Sequence, residues 1–186
     1  KTVSADRALH LDIYQPAKKG KYPALIMVHG GGWRSGNKSM ERPLAQQLAL
    51  YGVVSIPVEY RLSLEALYPA AIHDIKASIR FVKANAEKYN IDTTKVAISG
   101  ESAGGHLAIL VAMTNNVALF EGDKQGMKAS STIQAAIDVD GIVDFLAPNS
   151  LNMERKRESA DVSWLGSFFY ENPLLWKEAS PIYWAG

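Results

Sequence analysis

The architecture of this chain is set by residues 96–113, which read Val-Ala-Ile-Ser-Gly-Glu-Ser-Ala-Gly-Gly-His-Leu-Ala-Ile-Leu-Val-Ala-Met. Val96–Ser99 is a short apolar run with the length of a buried strand. From Leu107 onward the apolar residues continue in a run rich in Ala and Leu, which favours a buried helix. Between the two, Gly100-Glu101-Ser102-Ala103-Gly104 fits the pattern G-x-S-x-G, in which a serine stands on a sharp turn from strand to helix.

This turn makes Ser102 a candidate nucleophile. The bend forces the serine into a strained backbone conformation, and Gly100 and Gly104 let neighbouring backbone pass without a Cβ clash. The amide of Ala103 lies at the N-terminus of the helix, where the helix dipole favours negative charge. The alternative is a Gly-Ser turn that is merely structural, but the strand and helix on either side favour a nucleophile.

A second glycine motif follows the continuous apolar strand predicted at residues 24–28. It reads His29-Gly30-Gly31-Gly32-Trp33, and three consecutive glycines leave backbone amides open to the approach of an oxyanion. A flexible glycine turn is the alternative. We interpret the His29 ring as a structural group that fixes this loop rather than as a base.

Composition limits the classes of protein that the chain can belong to. Its 186 residues fit one domain, and 47% hydrophobic with 21% charged residues is typical of a globular protein with a real core. A formal charge of +1 gives no reason to expect nucleic acid or an anionic membrane surface as a partner. The absence of cysteine excludes disulfides and thiolate metal sites. We find no run of about 18 apolar residues and no charged-then-apolar leader, so we expect neither a membrane span nor a signal peptide in this sequence.

Predicted strands and helices alternate along the chain, which indicates an α/β fold with a mostly parallel sheet covered on both faces. One predicted helix, near residues 40–51, places Leu44, Leu48 and Tyr51 on one side. A longer one repeats Ile72, Ile75, Ile79 and Val82 at intervals of three and four. The strands are predicted near residues 9–14, 24–28, 53–58, 96–99 and 133–139.

The end of the chain is rich in aromatic residues. Seven of the 17 aromatic residues lie there, namely Trp164, Phe168, Phe169, Tyr170, Trp176, Tyr183 and Trp184. Within a single domain spanning residues 1–186, we interpret residues 145–186 as a cap or substrate-side segment. Trp33, Asp140 and Trp164 are the substrate-side candidates, and ordinary core filling is the alternative for the aromatic tail.

With both glycine motifs in place, the chain resembles the α/β-hydrolase family, specifically the hormone-sensitive-lipase-like esterases, over residues 8–184. Within that group, Trp164-Leu165-Gly166 and Glu171-Asn172-Pro173 to Ser180-Pro181 look like bacterial acetylxylan and feruloyl esterases, which act on plant cell-wall polysaccharide. The wider resemblance rests on His29-Gly30-Gly31-Gly32-Trp33, Glu59-Tyr60-Arg61-Leu62, Tyr68-Pro69-Ala70-Ala71, Ile91-Asp92 and Gly100-Glu101-Ser102-Ala103-Gly104-Gly105-His106.

The resemblance implies a serine carboxylic-ester hydrolase that works through an acyl-enzyme on Ser102. The amides of Gly31, Gly32 and Ala103 would form the oxyanion hole, and Gly30 would shape the loop. No metal or other cofactor is required by such chemistry. The resemblance also favours a secreted or periplasmic location.

The chain departs from the family pattern after the nucleophile. In this fold the partners follow in the order Ser, Asp or Glu, His, yet no histidine follows His106. His106 is disfavoured as the base because the turn aims Ser102 away from the helix that carries it. The catalytic acid and base would lie on strands and helices of about 60–80 further residues. We therefore expect a C-terminally incomplete or cleaved esterase with little or no turnover.

Two consequences and two alternatives follow from that departure. The strand near residues 133–139 would be an unpaired apolar edge, so we expect a homo-oligomer or a separate C-terminal fragment to cover it.

A relative that has lost its histidine can instead be a non-catalytic binding module. An amidase related to kynurenine formamidase is the other alternative, although its loop usually carries an aromatic residue where this chain has Gly32.

Overall fold

The computed structural model describes residues 7–124 and 126–185. Four parallel strands form one sheet in the order β2-β1-β3-β4. The strands are β1 (Tyr22–Val28), β2 (Val54–Val58), β3 (Ile91–Glu101) and β4 (Ala135–Val139). The α-helices are α1 (Arg42–Leu50), α2 (Ala70–Ala84), α3 (Ala103–Met113), α4 (Ala118–Glu121), α5 (Pro148–Leu151), α6 (Ala160–Leu165) and α7 (Pro173–Glu178), and 3₁₀ turns cover Lys38–Glu41 and Pro181–Trp184.

This arrangement confirms the predicted α/β fold with a parallel sheet. Helix α2 packs against α3, and right-handed crossovers place both on one face of the sheet and α1 on the other. The predicted stripe on α2 is correct, since Ile72, Ile75, Ile79 and Val82 are all fully buried. The main core therefore lies between the sheet and the α2–α3 layer.

The strand predicted at residues 9–14 is much reduced. Only two antiparallel bridges form, between Leu11 and Val58 and between Tyr14 and Ser55. Between them the Pro57 carbonyl accepts a hydrogen bond from the Asp12 amide at 3.0 Å, but a proline has no N–H with which to donate one back. The proline thus interrupts the ladder on this side of β2.

Helix α1 buries a different side from the apolar one that the sequence indicates. Leu44 is 53% exposed and Tyr51, at the end of the helix, is 82% exposed. The buried residues are Ala45 and Ala49, whose small side chains let the helix axis approach the sheet closely. Leu44 and Tyr51 consequently face away from the sheet, and Leu48 is half-buried.

Strand β4 is the last in the order, and the described residues provide no neighbour on its outer side. Ile137 and Val139 are each 52% exposed there. This matches the unpaired apolar edge expected from the sequence.

Behind the sheet, two buried cations share one carboxylate. Lys76 and Arg80 on α2 are 0% and 1% exposed, and they bind the Glu121 carboxylate at 3.0 and 3.1 Å. Ser131 Oγ also donates to that carboxylate, at 2.7 Å. Burial by itself raises the pKa of Glu121. The hydrogen bonds from Ser131 and Lys76 and the two positive charges lower the pKa by more than burial raises it, so the net pKa lies below its usual value. The network ties α2 to the segment that leads into β4.

We expect Glu121→Gln to lower the free energy of unfolding by about 3–5 kcal/mol at pH 7, because it leaves two buried cations without a counter-charge. The pKa of Glu121 is lower in the folded state than its ordinary value of 4.5. Its stabilising contribution is therefore fully present above pH 4.5, and it is lost as the pH falls through the lower pKa of the folded state. Urea unfolding of both proteins at pH 7 and at acid pH measures the difference.

Glu87→Gln, at an exposed position just after α2, is the matched control and is expected to change stability little. Equal stability of Glu121→Gln and wild type at pH 7 would contradict the importance of the network.

Candidate active site

Three loops meet at the carboxyl edge of the sheet because β1, β3 and β4 are adjacent and parallel. The register pairs Val28 with Gly100 and Glu101 with Val139, so the strands end level with one another. The loop beginning at His29, the turn at Ser102 and the loop after β4 therefore lie side by side. The fold brings together the two glycine motifs that are far apart in the sequence.

Strained backbone marks each of these three loops. Trp33, Ser102 and Asp140 have φ angles of 57°, 53° and 58°, in the left-handed region that side chains rarely adopt. Such conformations cost about 1–3 kcal/mol each and cluster at functional sites. Strain at the ends of three neighbouring strands thus marks this edge as a candidate site.

Ser102 stands on the turn between β3 and α3, with φ 53° and ψ −120°. Its amide donates to the Val139 carbonyl at 2.8 Å, and its carbonyl accepts from the His106 amide at 3.0 Å. These two bonds fix the turn to β4 on one side and to α3 on the other. The residue itself is exposed, so its hydroxyl is not packed in the interior.

The glycines of the turn are required by close backbone contacts. A Cβ on Gly100 would overlap the backbone of Gly104, and a Cβ on Gly104 would overlap the carbonyl oxygen of Val28. A Cβ on Gly30 would lie 2.9 Å from the Glu101 carbonyl oxygen and 3.6 Å from Ser102 Cβ. Helix α3 therefore runs directly against the end of β1, and the glycine loop lies beside the candidate nucleophile.

Three backbone amides are free to bind an anion at this point. Gly31 and Gly32 have φ angles of 118° and 58°, and their amides find no acceptor within residues 7–124 and 126–185. The Gly31 carbonyl accepts from the amides of Arg34 and Ser35, both at 3.1 Å, which closes the loop into a tight turn. The Ala103 amide belongs to the first turn of α3, where no intrahelical acceptor exists. Free donors beside a serine can stabilise a developing oxyanion.

His29 is buried beneath this loop, with 1% exposure. Its ring stacks on Tyr60 with centroids 4.4 Å apart and an interplanar angle of 16°, and Nδ1 lies 2.7 Å from the Gly30 carbonyl oxygen. Burial lowers the pKa of His29, although the bond to Gly30 opposes the shift. The position fits the interpretation of His29 as a group that fixes the loop.

His106 is fully buried, and both of its ring nitrogens are engaged. Nδ1 accepts from Trp33 Nε1 at 3.2 Å, so Nε2 carries the proton and donates to the Ala179 carbonyl at 2.8 Å. Burial lowers the pKa of His106 to about 4, against the opposing effect of the bond to Ala179. A neutral imidazole with both nitrogens occupied has no free lone pair for the Ser102 proton.

Two of the substrate-side candidates lie in the core, which corrects their sequence-based interpretation. Trp33 is 4% exposed and Trp164 is 0% exposed. Their indole rings stack 5.1 Å apart at 17°, and both pack edge-on against His106. Both indoles point inward and fill the apolar space beneath the glycine loop at residues 29–33. Asp140 is exposed at the strand edge and stays a substrate-side candidate.

Within the described part of the chain, no histidine is placed to act as the base for Ser102. His10 lies 3.6 Å from Glu59 and His73 lies 3.0 Å from the Leu119 carbonyl, and no described histidine hydrogen-bonds Ser102. A search of residues 7–124 and 126–185 finds no group of three His, Cys, Asp or Glu residues that could hold a metal. The same residues include no helix long and apolar enough to cross a membrane.

Sequence reasoning missed two groups that hold the loop. The Tyr60 hydroxyl donates to the His29 carbonyl at 2.9 Å beneath the glycines. Arg34 Nη1 donates to the Glu158 carbonyl at 3.2 Å and so joins the loop to the segment before α6. Tyr60 was detectable as part of the Glu59-Tyr60-Arg61-Leu62 motif, whereas no local pattern points from Arg34 to Glu158.

Comparisons with known proteins assign the chain to one family. A family model described as BD-FAE matches residues 11–185. The chain is 37% identical over 143 residues to "Probable carboxylic ester hydrolase LipM" of Mycobacterium tuberculosis, a match that covers 75% of this chain and 33% of LipM. The chain thus spans about a third of the length of this curated relative.

Solved structures of esterases have a similar fold. A "truncated form of carbohydrate esterase from gut microbiota" superposes with a TM-score of 0.87 at 33% identity, covering 97% of this chain and 70% of that one. Thermogutta terrifontis esterase 2, described as phosphoramylated by tabun, superposes with a TM-score of 0.75 at 28% identity, covering 98% of this chain and 63% of that one.

The lowered pKa of His106 predicts how stability depends on pH. In the unfolded chain the ring takes up a proton near pH 6.5, but in the folded chain it does so only near pH 4. The unfolded state therefore binds more protons between these values, and we expect stability to fall by about 3 kcal/mol from this group as the pH drops from 6.5 to 4. Comparing unfolding free energies of wild type and His106→Gln across this range isolates the effect.

His10→Gln, which replaces an exposed imidazole, is the control and should change the free energy of unfolding at pH 7 little. An identical slope in His106→Gln would mean that the ring is not held neutral in the folded state.

Proposed function

Because this chain belongs to the BD-FAE family of esterase-type α/β-hydrolases, we propose that it carries the nucleophile and oxyanion hole of a serine carboxylic-ester hydrolase. The observation that carries the proposal is the exposed Ser102 on a strained turn beside three unused backbone amides. LipM, named as a probable carboxylic ester hydrolase, supports the reaction class.

In the proposed mechanism, Ser102 Oγ attacks the ester carbonyl carbon and loses its proton to a general base. The carbonyl oxygen becomes an oxyanion held by the amides of Gly31, Gly32 and Ala103, of which one donor is typically worth about 2.7–4 kcal/mol. Collapse of the tetrahedral intermediate expels the alcohol and leaves an acyl group on Ser102. Water then attacks this acyl-enzyme through a second tetrahedral intermediate and releases the acid.

The general base is the missing part of this mechanism. His29 and His106 are buried and hydrogen-bonded elsewhere, and His10 and His73 make their contacts away from the turn. We propose that the base comes from residues outside this sequence and that the 186-residue chain alone has little turnover. A positioned general base raises the rate about 10²–10⁴-fold, so we expect the rate of the chain alone to be lower by that factor.

For the substrate we propose an acetyl or feruloyl ester of a plant cell-wall polysaccharide. Support comes from the resemblance of the Trp164-Leu165-Gly166 and Glu171-Asn172-Pro173 stretches to such esterases. A solved neighbour named as a carbohydrate esterase points the same way.

We also propose that residues 1–186 form one incomplete domain whose exposed β4 edge is covered by a second copy or by a C-terminal fragment. The half-exposed Ile137 and Val139 support this. Within that domain we propose residues 145–186 as the cap or substrate-side segment, with the buried Trp164 bracing the glycine loop because its ring stacks on that of Trp33.

A non-catalytic binding module is the second candidate, favoured by the lack of a base among the described histidines. The exposed hydroxyl of Ser102 on strained backbone weighs against it, since a binding module gains nothing from holding such strain.

Added imidazole tests the catalytic proposal by supplying the missing base from solution. We expect the wild-type chain to hydrolyse p-nitrophenyl acetate slowly, and imidazole to raise its rate several-fold above that of Ser102→Ala at the same imidazole concentration. Release of p-nitrophenolate measures the rate, and intact mass detects the acetyl group on the protein. Ser130→Ala, an exposed serine in a loop, is the matched control and should behave as the wild type.

Equal rates for wild type and Ser102→Ala at every imidazole concentration would refute the esterase assignment. Fast hydrolysis without imidazole would instead refute the claim that the base is missing.

A further inference from the structure

We propose that the exposed ring of Tyr170 is a stacking subsite for a neutral pyranose ring of the polysaccharide chain. The inference rests on the proposed function, because it assigns a place to the sugar part of the substrate. It concerns a surface beside the oxyanion loop that the ester chemistry itself does not use.

The rings of Phe168 and Tyr170 are stacked on the surface. Their centroids are 5.2 Å apart and their planes differ by 10°. Tyr170 is nevertheless 75% exposed. Since one face of its ring is covered by Phe168, this exposure means that the opposite face is open to solvent.

The stack is held in place before any ligand arrives. The Glu171 carboxylate accepts two hydrogen bonds from the Arg157 guanidinium, at 2.8 and 3.1 Å, and one from the Phe168 amide at 2.8 Å. The Arg157 guanidinium lies 4.4 Å from the centre of the Phe168 ring. Because the turn is already ordered, a ligand that stacks on it loses little free energy in ordering the protein.

The stack is connected to the glycine loop through the segment at residues 157–160. Arg157 directly precedes Glu158, whose carbonyl accepts from Arg34 of the glycine loop at 3.2 Å. Two residues further on, a Cβ built on Gly32 would lie 3.3 Å from Ala160 Cβ. In the proposed complex, a polysaccharide with its ester group at Ser102 extends along the glycine loop toward Tyr170.

Folding does not explain why an aromatic residue stands at position 170. Trp164 and Trp176 of the same segment are fully buried and contribute to the core, whereas Tyr170 keeps most of its surface in water. Within the described residues its hydroxyl forms no hydrogen bond. A large ring that packs on one face only and leaves the other face open is suited to a ligand.

The chemistry of this surface favours a neutral sugar. The face of an aromatic ring is electron-rich, and it attracts the weakly positive C–H groups on the apolar face of a pyranose. Arg157 and Glu171 are paired with each other, so neither offers an unpaired charge to an anionic ligand. The Arg157 and Glu171 side chains are partly exposed, so their polar atoms can form hydrogen bonds with sugar hydroxyls beside the ring.

The test is binding of xylohexaose to the intact 186-residue chain, measured by isothermal titration calorimetry. Wild type is expected to bind, Tyr170→Ala to bind at least about fivefold more weakly, and Tyr170→Phe to stay within about twofold because it keeps the ring face. Tyr51→Ala removes an equally exposed tyrosine at the end of α1 and should match the wild type. Thermal unfolding of each variant checks that it is folded.

No binding by the wild type at millimolar xylohexaose, or equal binding by Tyr170→Ala, would overturn the subsite. So would tight binding of methyl ferulate that Tyr170→Ala abolishes while xylohexaose is unaffected, since the ring would then serve an aromatic acid. The measurement needs no turnover, so it separates this inference from the imidazole test of Ser102. If Tyr170→Ala is unfolded, equal binding by Tyr170→Phe and Tyr170→Leu, measured in the same way, would refute stacking on the ring face.

Discussion

The candidate site depends on how closely helix α3 approaches the end of strand β1. Gly104 lies so near the Val28 carbonyl that no side chain fits between them. Gly100 lies equally close to the backbone of Gly104, so it has no room for a side chain either. This approach leaves Ser102 on a strained turn and brings it beside Gly30. The open amides of the glycine loop and of the helix N-terminus then surround one small volume. These two close contacts thus bring the candidate nucleophile and the candidate oxyanion-hole amides together.

Beneath that volume, a cluster of aromatic rings supports the loop. Trp33 at the end of the glycine loop, His106 on α3 and Trp164 on α6 contact one another, and Phe145 closes the group. The imidazole is tolerated in this apolar surrounding because both of its nitrogens are hydrogen-bonded. His106, four positions after Ser102, is therefore part of the support beneath the loop.

The aromatic residues near the end of the chain divide into two groups. Trp164 and Trp176 fill the interior, where they add apolar area and hold the loop above them. Phe168 and Tyr170 stack on the surface, ordered by the ion pair of Arg157 and Glu171. One segment thus stabilises the domain and presents an open ring beside the glycine loop.

The sequence by itself determined the four parallel strands, the helices α1, α2 and α3, the serine turn and the glycine loop. These follow from local rules, since a run of apolar residues forms a buried strand and close backbone contact requires glycine. Only the tertiary structure decided which side chains are buried. Ala45 and Ala49, not Leu44 and Tyr51, face the sheet from α1, and Trp33 and Trp164 turn inward although they border the site. Burial depends on what distant segments pack against a residue, and the neutral state of His106 depends on a carbonyl that lies 73 positions away in the chain.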